Sequence, residues 1–392
     1  MKMTTRCVHF DTNGDPYGAI SPPIYQTATF RQPTATEFGE YDYTRSGNPT
    51  RTLLESHLAN LEGGSYACAF ASGMAAITAL ARLLNAGDEI IVGNDLYGGT
   101  VRLFDQVLPR QGTVVHYVDT TNVEAVRQFL TSRTKLILIE TPSNPLLRIT
   151  DIRALADLAR ETGTVLAVDN SMLSPCLQQP LALGADVVIH SATKFLCGHS
   201  DVIAGALITN DEALYRRLAF QQNAEGAALS PFESWLLLRG LKTLALRVER
   251  QNVSAQKIAE YLAHNSSVKQ VYYPGLAIHA GFELQRRQAS GSGATISFTT
   301  GDPELSKRLV EATQLFEIAV SFGSVGSVIS LPSAMSHASI PESLRDRLAP
   351  PRDLVRISVG IEDVLDLIAD LDQAFAAANA QKAEALQYHA AV

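Results

Sequence analysis

The segment His190-Ser191-Ala192-Thr193-Lys194-Phe195-Leu196 follows Ala185-Asp186-Val187-Val188-Ile189, a short apolar run that reads as a buried strand. Lys194 therefore lies just past a strand end, behind two small hydroxyl residues and ahead of two bulky apolar ones. A lysine on an ordinary surface keeps its ammonium in water. One partly removed from water gives up its proton more readily, and its free amine attacks carbonyls. Ser191 and Thr193 offer hydroxyls to an anion such as phosphate. An imine-forming amine beside anion donors suits pyridoxal phosphate (PLP), whose aldehyde a lysine holds as a Schiff base. A strand-end lysine that merely reaches out to water is the commoner case, so other positions have to decide.

Several positions supply what such a cofactor needs. Asp169 ends the apolar run Thr164 to Val168, where a carboxylate would meet the pyridine nitrogen and keep it protonated; the alternative is an Asp capping a turn. Ser72-Gly73-Met74 opens a helix, whose first amides and dipole attract phosphate; the alternative is an ordinary Ser cap. Tyr97, before Gly98-Gly99, is placed to stack on a ring or is simply a loop tyrosine. Tyr43 and Arg45 offer a hydroxyl and a bidentate cation, unless Arg45 makes a surface ion pair. Arg356 interrupts the apolar strand Leu354 to Val359. It calls for an anion, either a substrate α-carboxylate or a buried acidic side chain.

The elements that must position these residues alternate regularly. Strands are expected at Glu89 to Val92, Thr113 to Val118, Lys135 to Glu140, Thr164 to Asp169, Val187 to His190 and Ile203 to Thr209. Helices are expected between them: Thr50 to Leu61 (capped by Thr50), Gly73 to Leu84, Asn122 to Leu130 and Asp151 to Glu161. Short continuous apolar strands alternating with helices predict an α/β fold, a mostly parallel sheet covered on both faces, with ligands beyond the carboxyl ends of its strands. One long helical pattern covers Pro231 to Leu262, weakened only at Gly240. Residues 265–392 mix strands (Ala294 to Thr299, Leu354 to Val359) with helices (Pro303 to Thr313, Ile361 to Ala377), so a smaller α+β C-terminal domain is expected. The stretch Ala378 to Val392 reads as frayed. The organisation expected is an arm at 1–50, a cofactor domain at 51–245 and a C-terminal domain at 246–392. The arm is rich in Pro, Thr and aromatics, too apolar to be left wet, and suits contact with another subunit.

Composition narrows the classes. At 392 residues, 46% apolar and 18% charged, the chain can bury a large core. A net charge of −8 argues against nucleic acid or an anionic membrane as partner. No apolar run reaches membrane-spanning length, and the polar start Met1 to Phe10 leads to the expectation of a cytoplasmic protein. Four scattered cysteines form no CxxC pair and the histidines no HExxH, so no metal site is expected. No GxGxxG follows the first strands, which sets a nicotinamide oxidoreductase far behind.

The ordered segments Tyr43 to Thr50, Ser72 to Ala76, Asp95 to Gly99, Glu140 to Pro145, Val168 to Asn170, Ser191 to Lys194, Val320 to Gly323 and Val355 to Glu362 resemble the Cys/Met-metabolism family of PLP enzymes. The resemblance runs from about Gly18 to Ala377. It implies the aspartate-aminotransferase type of PLP-dependent transferase fold, with a seven-stranded mostly parallel sheet, and a homotetramer built as a dimer of dimers. By the same resemblance Lys194 holds PLP, Asp169 meets its ring nitrogen and Tyr97 stacks on the ring. Gly73, Met74, Ser191 and Thr193 hold the phosphate, with Tyr43 and Arg45 contributed to a neighbouring subunit's site. Arg356 and Ser321 bind the substrate carboxylate, with Asn144 nearby. The implied activity is carbon-sulfur lysis, and the wording of several segments is most similar to the branch that cleaves cystathionine by α,β-elimination. Val320, where γ-acting members often carry an acid, and Gly99, where methionine γ-lyases carry Cys, agree with that branch; Asp42 leans toward the γ-enzymes. Cystathionine γ-lyase, γ-synthase and O-acylhomoserine sulfhydrylase activities are the alternatives.

Overall fold

The computed structural model describes residues 1–10, 15–338 and 340–391. Its larger sheet consists of β1 (Tyr66–Phe70), β2 (Glu89–Gly93), β3 (Val114–Val118), β4 (Thr134–Glu140), β5 (Val165–Asp169), β6 (Val187–His190) and β7 (Gly205–Thr209). The strands lie in the order β1-β7-β6-β5-β4-β2-β3. Only β7 runs against the others, pairing antiparallel with both β1 and β6. Every residue of β2, β6 and β7 is buried, as helices on both faces require, whereas edge strand β3 leaves Val114 exposed. The expected α/β fold and seven-stranded sheet are therefore present. Strand β1 carries no expectation from the sequence reading, because Ala67-Cys68-Ala69 gives little strand signal.

The smaller sheet contains β8 (Gln270–Tyr272), β9 (Thr295–Thr299), β10 (Glu317–Ile318), β11 (Val328–Ser330) and β12 (Leu354–Ser358), in the order β10-β11-β12-β9-β8. Arg356 thus sits on an interior strand. One continuous apolar cluster runs from Leu58 and Leu196 through Leu244 and Ile258 to Phe298 and Leu371, so the two sheets share buried surface. No described helix is long and apolar enough to cross a membrane.

Three helical expectations are corrected. Thr50 does not cap its helix: Pro49–Glu62 starts one residue earlier, and Asn48 accepts from the Thr50 amide while Pro49 takes the first helical position. The pattern from Pro231 to Leu262 is two helices, Pro231–Leu241 and Leu244–His264. The break is held by Arg247, which is 4% exposed and donates to the carbonyls of Phe195 (2.8 Å) and Gly240 (2.9 Å). A Cβ on Gly240 would stand 2.4 Å from the Cys197 carbonyl oxygen, so only glycine admits that approach. The break therefore grips the backbone immediately after Lys194. Finally, the stretch read as frayed, Ala378 to Val392, continues the last helix, Val364–Ala391, as far as the described residues go; Val392 lies outside them.

Gly205, first residue of β7, sits against the start of the helix Gly73–Ala81: an added Cβ would lie 2.2 Å from the Ser72 carbonyl oxygen and 2.8 Å from Gly73 Cα. Backbone on both sides leaves no flexible group to yield. Gly205→Ala is expected to lower stability by about 1–3 kcal/mol, as overpacking does. Urea unfolding of the variant measures it, and a midpoint equal to the parent's contradicts the packing described.

Candidate active site

The carboxyl ends of β1, β2, β4, β5 and β6 open on one edge of the larger sheet, and each delivers a chemically active residue. Ser72 follows β1, Tyr97 follows β2, Glu140 and Asp169 end β4 and β5, and Ser191 to Lys194 follow β6. From the smaller sheet come Arg356 on β12 and the segment Val320 to Phe322. Together they line a cavity of about 580 Å³. The expected neighbouring placement of Asp169 and Lys194 holds, since β5 and β6 are adjacent and parallel.

Lys194 Nζ lies 2.5 Å from Ser321 Oγ and 5.0 Å from the centre of the Phe322 ring. Burial, then the Arg356 charge, lowers its pKa from 10.5 to about 8; Asp169 and Glu140 pull the other way. Ser321 has a left-handed backbone (φ 84), unusual outside glycine, and this conformation presents both of its oxygens to the site. Its hydroxyl meets Lys194, and its carbonyl accepts from Arg356 Nη2 at 2.9 Å.

Arg356 is 2% exposed, and its Nη1 donates to Asn144 Oδ1 at 2.7 Å. Both guanidinium bonds go to neutral oxygens, so the buried-acid alternative is not what the strand provides; the acidic influence on Arg356 comes from Glu140, whose own carboxyl burial raises well above the ordinary range. Burial brings the Arg356 pKa from 12.5 to about 10. A carboxylate from a bound amino acid is the counter-ion this geometry fits.

Asp169 accepts the Ser171 amide at 2.9 Å. Burial raises its carboxyl, while Ser171, His190 and Lys194 hold it down. Glu140 stands opposite it in the β4–β5 ladder. Its carboxyl is raised well above the ordinary range by burial, then by Asp169 and Asp95, and it receives a long bond from the Tyr97 amide (3.4 Å).

Residues 4–376 match the Cys/Met metabolism PLP-dependent enzymes. The chloroplastic cystathionine beta-lyase of Arabidopsis thaliana is 54% identical over 373 residues, 95% of this chain and 80% of that protein. A cystathionine gamma-lyase of Bacillus subtilis is 48% identical over 95% of this chain and 99% of its own length. Among solved structures, the cystathionine gamma-lyase of Lactobacillus plantarum complexed with L-serine superposes with a TM-score of 0.94 at 45% identity, covering 97% of this chain and 100% of that one. The chain belongs to the Cys/Met metabolism PLP-dependent enzymes.

The cavity fits the family's cofactor. A reactive amine and a carboxylate come from adjacent strand ends, as an aldehyde and a ring nitrogen on one ring require. At the Ser72 end, Ser72 Oγ accepts the Ala75 amide, and the first-turn residues Gly73 and Met74 line the wall. A Cβ on Gly73 would stand 3.0 Å from the Ser191 Cβ, so glycine is what lets the helix start lie this close to the Lys194 segment. Thr193 is less free than expected: its hydroxyl donates to the Ala204 carbonyl (3.2 Å) and accepts the Ala204 amide (3.0 Å), pinning the turn that carries Lys194.

Of the sequence-predicted residues, Lys194, Asp169, Tyr97, Gly73, Met74, Ser191, Thr193, Asn144, Ser321 and Arg356 all face this one cavity. Tyr43 and Arg45 do not line it. They are exposed, with the Arg45 guanidinium 5.2 Å from the Tyr43 ring centre and its Nε donating to Asn223. Glu140, Ser171 and Phe322 are cavity residues the sequence reading assigned no role. Glu140 carried a usable signal, for it ends an apolar strand as Asp169 does.

Lys194 sets a pH dependence. A pKa lowered to about 8 makes the amine neutral at a pH where a free lysine is still charged. The rate at which PLP-free protein takes up PLP covalently is therefore expected to rise with pH through about 8 and then level off. Stopped-flow absorbance reads it; a rate still climbing steeply past that region would show an unperturbed lysine.

Proposed function

We propose that the chain cleaves L-cystathionine by α,β-elimination to homocysteine, pyruvate and ammonia. The observation that carries the reading is the Ser321 bridge, which sets a readily neutral amine beside a guanidinium free to receive a carboxylate. An α-amino acid bound through its carboxylate to Arg356 and Asn144 would turn its Cα toward Lys194.

Bound PLP supplies an electron-poor ring that accepts the electron pair left at Cα. The chain's residues do the rest. Lys194 would hold the cofactor and, as a free amine, would take the Cα proton as general base. Asp169 would keep the ring nitrogen protonated. Tyr97, on the cavity wall, would pack against the cofactor and stand with Lys194 as the proton source for the departing thiol. Homocysteine leaves from Cβ, and the remaining three-carbon enamine hydrolyses to pyruvate and ammonia. A γ-elimination would demand a further proton from Cβ, and Val320 at the cavity wall provides no group to take it.

The competing reading is γ-elimination, supported by the gamma-lyase relatives and by Asp42. Incubation with cystathionine separates the two. Pyruvate with homocysteine is expected; 2-oxobutyrate with cysteine would overturn the β assignment. Lys194→Ala is expected to abolish turnover.

The arm fits service to a second subunit. Arg51, 2% exposed, donates to the carbonyls of Thr44 and Arg45, so the arm's backbone is fixed while its Tyr43 and Arg45 side chains project outward. A homotetramer built from two such pairs, in the cytoplasm, is the assembly we assign. Mixed assemblies of Lys194→Ala and Arg45→Ala subunits are then expected to regain activity that neither has alone, because one site of each pair is intact. Absence of any recovery after subunit exchange contradicts the shared site.

A further inference from the structure

Outside the cavity lining, one buried carboxylate joins the two strand ends that hold Asp169 and Lys194. Glu62 ends the helix Pro49–Glu62 and is 2% exposed. Its Oε1 accepts from His190 Nε2 at 2.5 Å and from Asn170 Nδ2 at 2.9 Å. His190 is 1% exposed and Asn170 is fully buried. Asn170 directly follows Asp169, and His190 directly precedes Ser191. A single oxygen thus links the end of β5 to the end of β6.

Holding the strands together does not by itself require this. The β5–β6 ladder already pairs Asp169 with Ile189, the Asn170 amide donates to the Ile189 carbonyl at 2.9 Å, and Ser171 Oγ accepts the Ser191 amide at 2.6 Å. A buried polar pair is also an expensive way to gain stability, since apolar residues of the same volume serve as well or better. What the ladder does not set is the orientation and charge beside Asp169. A carboxyl oxygen facing an imidazole nitrogen 2.5 Å away favours a proton on Nε2, and the contact fixes the plane of the imidazole. His190 in turn is one of the influences that counter the burial of Asp169.

We propose that Glu62 is a positioning residue for the cofactor: through His190 and Asn170 it fixes Asp169 as the anionic partner of the PLP ring nitrogen. It touches neither cofactor nor substrate. The inference rests on the family's cofactor and not on which sulfur substrate is cleaved.

Glu62→Gln keeps the shape and one acceptor oxygen but removes the charge. The variant is expected to bind PLP about tenfold more weakly in equilibrium dialysis, the effect of one pK unit of differential charge stabilisation. Its bound-cofactor absorbance band is expected to shift, because ring-nitrogen protonation changes the chromophore. With cystathionine, kcat is expected to fall while KM holds, since Arg356 and Asn144 bind the substrate carboxylate elsewhere in the cavity. His190→Gln should behave alike, and the double variant should be no worse than either single one, because both act through one link. PLP affinity and spectrum equal to the parent's overturn the proposal, whatever the melting temperature does; so does failure of both single variants to fold, which would assign the pair to packing. The parent is the control. If it takes up no PLP at Lys194, the cofactor reading itself fails, whereas a loaded parent with unaffected variants sinks only the role of Glu62.

Discussion

Two cations, Lys194 and Arg356, share one serine in the wall of one cavity. Ser321 takes the amine on its hydroxyl and the guanidinium on its carbonyl. Arginine cannot shed its proton at any ordinary pH, so the cost of the crowding falls on lysine. The fall from 10.5 to about 8 corresponds to about 3 kcal/mol. The carboxyls of Asp169 and Glu140 act against that shift and do not cancel it, so burial decides the outcome. The larger sheet supplies the amine and the smaller one the guanidinium, so the docking of the two is the condition for a nucleophile. Arg247 and Gly240 grip the chain just after Lys194, and the Phe195 and Phe322 rings meet 6.0 Å apart across the junction.

The acidic side follows from parallel register. Strands that run the same way end together, so Glu140 and Asp169 bring two carboxyls to neighbouring places on one edge. Two such groups at one buried place do not both ionise readily. Their surroundings divide the roles. Glu140 has Asp169 and Asp95 as neighbours and one long amide bond; its carboxyl is raised well above the ordinary range. Asp169 has the Ser171 amide, His190 and Lys194, which hold its carboxyl down against burial. The difference favours Asp169 as the anion where a cationic ring nitrogen would sit.

Much of this was legible in the chain, for local reasons. Lys194, Asp169 and Tyr97 stand just past apolar strands, where ligands bind, and Ser72 opens a helix. Arg356 is conspicuous because an arginine inside an apolar strand needs an anion. What escaped reading depends on distant contacts. Strand β1 is made of small residues and owes its place to pairing with β7, about 140 residues on. The break after Leu241 owes its geometry to Arg247 holding carbonyls that lie some 50 residues earlier. The helix cap fell at Asn48 and not at Thr50, because Pro49 makes a better first residue than the sequence pattern alone suggested. Tyr43 and Arg45 were legible as cofactor residues only on the premise of a second subunit, and their exposure in the single chain agrees with that premise.

The scaffold and the reaction are separable. Relatives named beta-lyase and gamma-lyase stand at 54% and 48% identity, and each matches nearly the same span of this chain. An amine base, a ring carboxylate and a carboxylate-binding arginine would serve the first step of either reaction, so none of them divides the two. A dividing residue has to meet the substrate beyond Cα, where β and γ chemistry part. Val320 is the residue whose place suits that requirement. It lines the cavity, stands 56% exposed, and directly precedes the serine that links both cations. The strained backbone of Ser321 holds the chain there, so the side chain at 320 is carried at a set place relative to Lys194 and Arg356. An acid at that place would offer a second proton acceptor close to the base. An isopropyl group offers none, and leaves Lys194 as the principal base for a reaction that needs a single proton removed from carbon.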